Sequence, residues 1–352
     1  MNIKITGSGC YIPSIKVTNN DFANHTFLNE DGSSLDYPNN VIAKKFTEIT
    51  GIEERRYVQD HQTTSQIATI AAQKAIADAD LDAETLDYII FAHNFGDVKK
   101  GAIQGDMLPS LASRVKFNLR IKNPKCVAYD MLFGCPGWVE GVIQAQAFIK
   151  AGMAKKCLII GAETLSRVVD PHDRDSMIYS DGAGATIVEL SNDEGGILAH
   201  ASASYTFEEA NFLFFGKSNN QTHDPNVRYI KMFGRKIYEF ALSNVPLALK
   251  NCLEDANINI DDVKKILIHQ ANEKMDEAII NRFYKLYKKP TPARIMPMSI
   301  HKLGNSSVAT VPTLYDLIIK GKIENHSLNK GDIILFASVG AGMNINAIAY
   351  QM

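Results

Sequence analysis

Residues 72–94, AQKAIADADLDAETLDYIIFAHN, lie over residues 249–271, LKNCLEDANINIDDVKKILIHQA, without a gap. Each stretch reads as an amphipathic helix, a short turn with acidic residues and an apolar strand. Ala75, Ile76 and Ala79 in one copy and Cys252, Leu253 and Ala256 in the other carry the helical spacing. Tyr88, Ile89, Ile90 and Phe91 form one strand, and Ile266, Leu267 and Ile268 the other. A repeat of this size sets the plan of the whole chain.

The correspondence continues outward. A variable loop, a helix over 109–119, a strand over 127–131, a Gly-containing turn and a long helix over 139–151 follow the first copy. A helix over 275–286, a strand over 294–298, a Gly-Asn turn and a helix over 308–319 follow the second. Each half then closes with two strands, 157–161 and 184–189 in the first and 332–338 and 344–350 in the second. Alternation at this spacing predicts mixed sheets covered by helices on both faces. Two such units about a pseudo-dyad make a five-layered α/β/α/β/α fold from two similar halves. The expected halves are 1–193 and 194–352, with the boundary near 191–196. Two polar, turn-rich segments, 25–40 and 207–228, break the symmetry, either as functional covers or as disordered surface.

The bulk composition agrees with an ordinary globular chain, 45% hydrophobic and 22% charged over 352 residues. A net charge of −2 carries no nucleic-acid signature. Cys10, Cys126, Cys135, Cys157 and Cys252 are scattered with no CxxC spacing, against both a disulfide framework and a structural zinc site. Residues 1–9 read as a strand rather than a targeting segment, and no apolar run reaches the ~18 residues of a membrane span. A soluble, cytoplasmic protein without metal, cofactor, nucleic acid or membrane is expected.

The chemistry gathers at three turns. In YDMLFGCPGW, residues 129–138, a strand ends in a tight turn bearing Cys135, and a helix follows with Pro136 suited to its first turn. That position puts the sulfur at a helix N-terminus, where the thiolate is expected to be favoured. It favours a nucleophile over a merely buried cysteine. His269 ends an apolar strand in ILIHQAN, where open α/β sheets expose functional groups. His93 ends the partner strand and reads as structural, and His61 and His172 lie in polar turns. Asn305, in LGNSS, holds the place in the second half that Cys135 holds in the first. It can donate to an oxygen gaining negative charge, or cap the following helix, as Ser306 also can. Small residues at 338–342 and 180–185 let backbone approach a ligand closely. They match no phosphate-loop spacing.

With GSGCYIPS at 7–14, TGIEERR at 50–56, GCPG at 134–137, SRVVDPHDR at 166–174, SDGAGA at 180–185, HQAN at 269–272 and GNSSVATVP at 304–312, the chain resembles β-ketoacyl-acyl carrier protein synthase III. That family belongs to the thiolase-like superfamily. The resemblance implies an acyl-Cys135 intermediate and a malonyl thioester that decarboxylates beside His269 and Asn305. Its carbanion attacks the acyl group, and the backbone N–H groups of Cys135 and Ala341 form the oxyanion hole. It also implies a homodimer and an acyl carrier protein partner, with Lys274, Arg282, Arg235 and Lys236 as candidates for its docking. Members primed by coenzyme A carry WxxxR before TGI, whereas residues 45–49 here read KFTEI. Ala341 replaces the middle glycine of a GGG loop, and the 95–109 loop, which shapes the acyl pocket in the family, is longer. A specialised starter, or an acyl group delivered on a carrier protein, is therefore expected in place of acetyl-coenzyme A.

Competing readings separate by chemistry. A thiolase needs a second catalytic cysteine near the C-terminus, and the 340–343 loop has none. A non-catalytic partner subunit would lack the nucleophile. A related thiol acyltransferase that moves the acyl group to an alcohol or amine, without decarboxylation, stays open. A binding protein with a degenerate site would show Cys135 no more reactive than Cys157.

Overall fold

A computed structural model describes residues 2–352, so Met1 of the expected first strand lies outside the described residues. The first half runs β1 (Asn2–Tyr11), β2 (Ile15–Thr18), α1 (Asn39–Thr50), β3 (Glu54–Tyr57), α2 (Thr64–Asp78), β4 (Tyr88–Ala92), α3 (Leu111–Asn118), β5 (Val127–Met131), α4 (Gly137–Lys150), β6 (Lys156–Thr164) and β7 (Asp181–Ser191). The second runs β8 (Gly196–Ser204), β9 (Leu213–Gly216), β10 (Tyr229–Met232), α5 (Gly234–Asp255), β11 (Val263–Ile268), α6 (Glu273–Leu286), α7 (Ile300–Leu303), α8 (Thr310–Ile319), β12 (Ile333–Gly340) and β13 (Asn344–Gln351).

The two large sheets have the orders β1-β7-β6-β4-β5 and β8-β13-β12-β11. In each, a parallel pair (β4–β6, β11–β12) continues into two antiparallel strands. One apolar cluster joins α2 and α3 to the outer face of the first sheet. A second, with Trp138, Phe336 and Tyr350, fills the space around α4 and α8 between the sheets. A third joins α5 and α6 to the outer face of the second sheet. The result is five layers. β6 is buried along nearly its whole length, as a strand covered on both faces must be.

The repeat reappears bond for bond. After α2 the Leu81 N–H donates to Ile76 O, and after α5 the Ile258 N–H donates to Leu253 O. Asp80 and Asn257 take the same left-handed turn, at φ 47° and 54°. Such turns suit Asp and Asn, whose short side chains bond locally. Asp82 and Asn259 then each accept from the N–H two residues on, opening matching single 3₁₀ turns before β4 and β11.

One expected element is missing. Residues 294–298 form no strand, so the second sheet has four strands where the first has five. Arg294 takes φ 58° and Pro297 has no N–H to give to a ladder. A single bond from the Ile266 N–H to Ile295 O, 2.9 Å, is what remains of the pairing.

The two irregular segments pack on each other. Asn219 Nδ2 donates to Leu28 O at 2.9 Å and Gln221 Nε2 to Glu30 O at 3.3 Å. Beneath them, buried Lys231 donates to Asp170, Asp173 and Asn219 at 2.7–2.8 Å, and Asp170 also accepts from Ser218 Oγ and the Asn219 N–H. A buried charge whose partner is removed is strongly destabilising. Lys231→Met is therefore expected to lower the unfolding free energy by about 3–5 kcal/mol, read from the denaturant midpoint. A loss below about 1 kcal/mol would show that the network does not hold the two segments.

Candidate active site

β5 delivers the chain to Gly134, whose φ of 64° suits glycine, then to Cys135 and to Pro136 at the N-cap of α4. Pro136 thus precedes the helix rather than entering its first turn. The bend is locked against the loop after β12. A Cβ on Gly134 would meet Ala341 N at 2.6 Å, and one on Gly340 would meet Cys135 N at 2.5 Å. Both N–H groups expected to form an oxyanion hole therefore stand at one seam between the halves. Ala341 is outside the left-handed region, which Gly342 and Met343 occupy, so a side chain is tolerated where a glycine was expected.

Burial pushes the Cys135 thiol up to about 11, against the pull of a hydrogen bond from Ser307 and of its own N–H. Burial thus works against the thiolate that the helix end is expected to favour. Loss of water at the sulfur disfavours its charged form.

His269 follows β11, with its N–H on Ala337 O of β12 at 2.9 Å. β12 is the strand whose last residue, Gly340, abuts Cys135. The His269 ring is buried, and Nδ1 has no partner among the described residues. Burial pushes its pKa down to about 4, so the imidazole is neutral near pH 7.

Asn305 is clamped by its backbone, N–H to Ile178 O at 3.0 Å and O from the Ser180 N–H at 2.8 Å. Its Oδ1 accepts the Ser307 N–H at 2.7 Å, which assigns Nδ2 as the group left to donate. It accepts as a cap would, while Ser306, at the N-cap of the 3₁₀ turn Ser307–Ala309, makes no side-chain cap. Ser307 Oγ in turn donates to Cys135 Sγ at 3.3 Å. Cys135 and Asn305 are thus joined through one residue. His269 stands just past the strand beside the one that supports the cysteine.

Three polar residues of this region were not singled out from the sequence. Asn94 Nδ2 donates to Glu163 Oε1 at 2.7 Å and to Ser307 Oγ at 3.4 Å, and its Oδ1 accepts the Gly134 N–H at 3.1 Å. A carboxylate at the end of an apolar strand and an Asn beside His93 were the available signals for Glu163 and Asn94. Ser307 lay unread inside GNSS. His93 is tied to Asp130 at 2.9 Å and receives the Gly96 N–H, and Asp130 also takes the first N–H groups of α3. Beyond Asn94 opens a cavity of about 980 Å³ lined by Tyr57, Phe95, Val98, Arg167, Phe215 and Tyr229.

Lys274, Arg282, Arg235 and Lys236 are all exposed on α5 and α6, the outer layer of the second half. Arg235 pairs with Glu239, Lys236 lies over the Phe212 and Phe233 rings, and Arg282 donates to Leu242 O.

Comparison with known proteins gives a consistent set of likenesses. A family model described as 3-oxoacyl-(acyl-carrier-protein) synthase III matches residues 129–205, and one for the C-terminal part of that synthase matches residues 253–352. The β-ketoacyl-(acyl-carrier-protein) synthase III of Aquifex aeolicus is 31% identical over 350 residues, covering 99% of each chain. That of Clostridium beijerinckii is 32% identical over 353 residues, 98% of each. The Aquifex aeolicus crystal structure matches with a TM-score of 0.80, covering 99% of this chain and 100% of that one.

Proposed function

Because this chain belongs to the 3-oxoacyl-(acyl-carrier-protein) synthase III family, we propose that it loads an acyl group onto Cys135 and condenses it with a malonyl group held on acyl carrier protein. The Cys135 sulfur attacks the acyl thioester carbonyl, the donor's own C–S bond breaks, and the donor leaves as its free thiol, carrying the Cys135 proton. The carbonyl oxygen gains charge beside the Cys135 and Ala341 N–H groups. Malonyl thioester then loses carbon dioxide, its electron pair moving into an enolate whose oxygen accepts from neutral His269 and from Asn305 Nδ2. The enolate carbon attacks acyl-Cys135 and expels the sulfur, leaving a 3-oxoacyl group on the carrier. The observation that carries this reading is the continuous link Cys135–Ser307–Asn305 across the two halves.

A starter other than simple acetyl-coenzyme A is supported at α1. Phe46 turns inward toward the buried Arg55 guanidinium, so residues 45–49 offer no aromatic platform for adenine. The apolar group Val98, Leu165, Val168 and Tyr179, beside the cavity, suits an acyl chain. β5 is an edge strand, and Leu108, Phe117, Val127 and Leu132 are exposed around it, which supports a twofold homodimer joined there. Arg235 and Lys236 open α5 and Lys274 opens α6, ends where a cation opposes the helix dipole. Their presence there supports docking of an acidic carrier protein, with Arg282 further along α6, where it donates to Leu242 O of α5. We read residues 1–193 and 194–352 as the two functional halves. Five free cysteines and no helix long and apolar enough to cross a membrane, among the described residues, support a cytoplasmic setting.

The test is to acylate the protein, add malonyl carrier protein labelled in the free carboxyl, and collect carbon dioxide. One equivalent of carbon dioxide per 3-oxoacyl product is expected. Transfer of the acyl group to an alcohol or amine with no gas released would replace this reading with that of a simple acyltransferase.

A further inference from the structure

Glu163 is an anomaly. Its carboxyl is about 1% exposed, it has no cationic partner within salt-bridge distance among the described residues, and a glutamine would make the same bond to Asn94 without burying a charge. The condensation as derived does not use it. Yet a short polar line leads from it to the sulfur: Glu163 Oε1 to Asn94 Nδ2 at 2.7 Å, Asn94 Nδ2 to Ser307 Oγ at 3.4 Å, and Ser307 Oγ to Cys135 Sγ at 3.3 Å.

The direction of each donor matters. Both N–H bonds of the Asn94 amide are taken up, one by Glu163 and one by Ser307 Oγ, while its Oδ1 holds the Gly134 N–H beside the cysteine. The Ser307 oxygen therefore receives from Asn94 and has its own hydrogen free for sulfur. Ser307 holds this pose at φ 53°, a left-handed conformation that a non-glycine residue keeps only when its surroundings enforce it.

We propose that Glu163, Asn94 and Ser307 are positioning residues for the nucleophile, with Ser307 Oγ donating to the Cys135 thiolate and Glu163 holding that donor in place through Asn94. This deepens the reading given under Proposed function by assigning control of the loading half-reaction to residues outside the Cys-His-Asn set. The proton lost by Cys135 leaves on the thiol released from the acyl donor and does not pass through the Asn94 amide. Charged and titratable neighbours act on the pair from several elements. His93 on the loop after β4 favours the Glu163 charge and Asp181 at the start of β7 disfavours it. Tyr179 ahead of β7 faces Cys135. Burial pushes Glu163 up to about 7, so its charge is gained through the neutral range, and that charge raises the thiol pKa.

The experiment is the pH profile of Cys135 alkylation by iodoacetamide on the intact chain, followed by peptide mass spectrometry. Ser307→Gly removes the hydroxyl yet keeps a residue suited to positive φ. It is expected to raise the apparent thiol pKa by about one unit, slowing alkylation about tenfold at a fixed pH below it. Glu163→Gln keeps an acceptor for Asn94 and removes the charge, and is expected to lower the thiol pKa by about half a unit to one unit, a three- to tenfold acceleration. Packing damage has no reason to move the two variants in opposite directions. A wild-type profile in either variant, or shifts of the same sign in both, overturns the proposal. The assay contains no thioester, so carbon dioxide release by the wild-type protein decides the proposed function separately.

Discussion

Cys135→Ala takes up no acyl group. Intact-protein mass spectrometry after incubation with acyl thioesters is expected to show one acyl increment on the wild-type chain and none on the variant, with condensation lost as completely. The other four thiols cannot stand in. Burial pushes Cys10, Cys157 and Cys252 up to about 12 and raises Cys126 as well, and all four are buried residues. Access separates them from Cys135, since an acyl thioester cannot reach a sulfur sealed in the core. Cys135 alone is partly exposed, at a turn shared by both halves. Alanine fits that turn, and losing one small atom there costs about 1 kcal/mol, so the variant stays folded. Because the Cys135 thiol is itself raised to about 11, it is protonated at neutral pH, and wild-type loading is expected to climb with pH toward that value. An acyl increment on the alanine variant would place the nucleophile elsewhere.

The legible and illegible parts of this site divide by the range of the forces that set them. The helix–turn–strand repeat depends on local chemistry, and so Asp80 with Asn257 and Asp82 with Asn259 were readable as one turn written twice. Cys135, His269 and Asn305 were readable because each ends a strand or opens a helix, places where backbone geometry exposes a side chain. Residues 294–298 misled because their apolar residues suit a strand while Arg294 and Pro297 deny the ladder its dihedrals and donors. The surroundings of the Cys135 sulfur were legible only in part: the helix end is visible in the sequence, and the depth of burial is not. Glu163, Asn94 and Ser307 lie far apart along the chain, and nothing local to any of them announces the others. The same holds for Lys231 and Asp170, a buried pair with no sequence spacing to mark it.

His269→Ala and Asn305→Ala, unlike the cysteine variant, are expected to accept the acyl group and then to stall. Carbon dioxide release from malonyl carrier protein should fall by about 10²–10³ for each, the usual effect of deleting one donor to a developing oxyanion. Neutral donors suit this step, because the enolate appears only as carbon dioxide departs and a full positive charge would bind the malonate carboxylate instead. His269 meets that need: with its pKa lowered to about 4, the charged form exists only below that pH, and decarboxylation should show no inflection from this residue between pH 6 and 8. Asn305 meets it through orientation, since the Ser307 N–H occupies Oδ1 and leaves Nδ2 to donate. Asn305→Asp preserves the size and the bond from Ser307 but turns the remaining atom into a negative acceptor, and should therefore be slower than Asn305→Ala. The double variant His269→Ala/Asn305→Ala is expected to lose less than the product of the single losses, because both donors serve one oxygen. Full condensation by Asn305→Ala, or an aspartate variant faster than the alanine one, would remove the carboxamide from the enolate and leave its link to Ser307 as a structural tie alone.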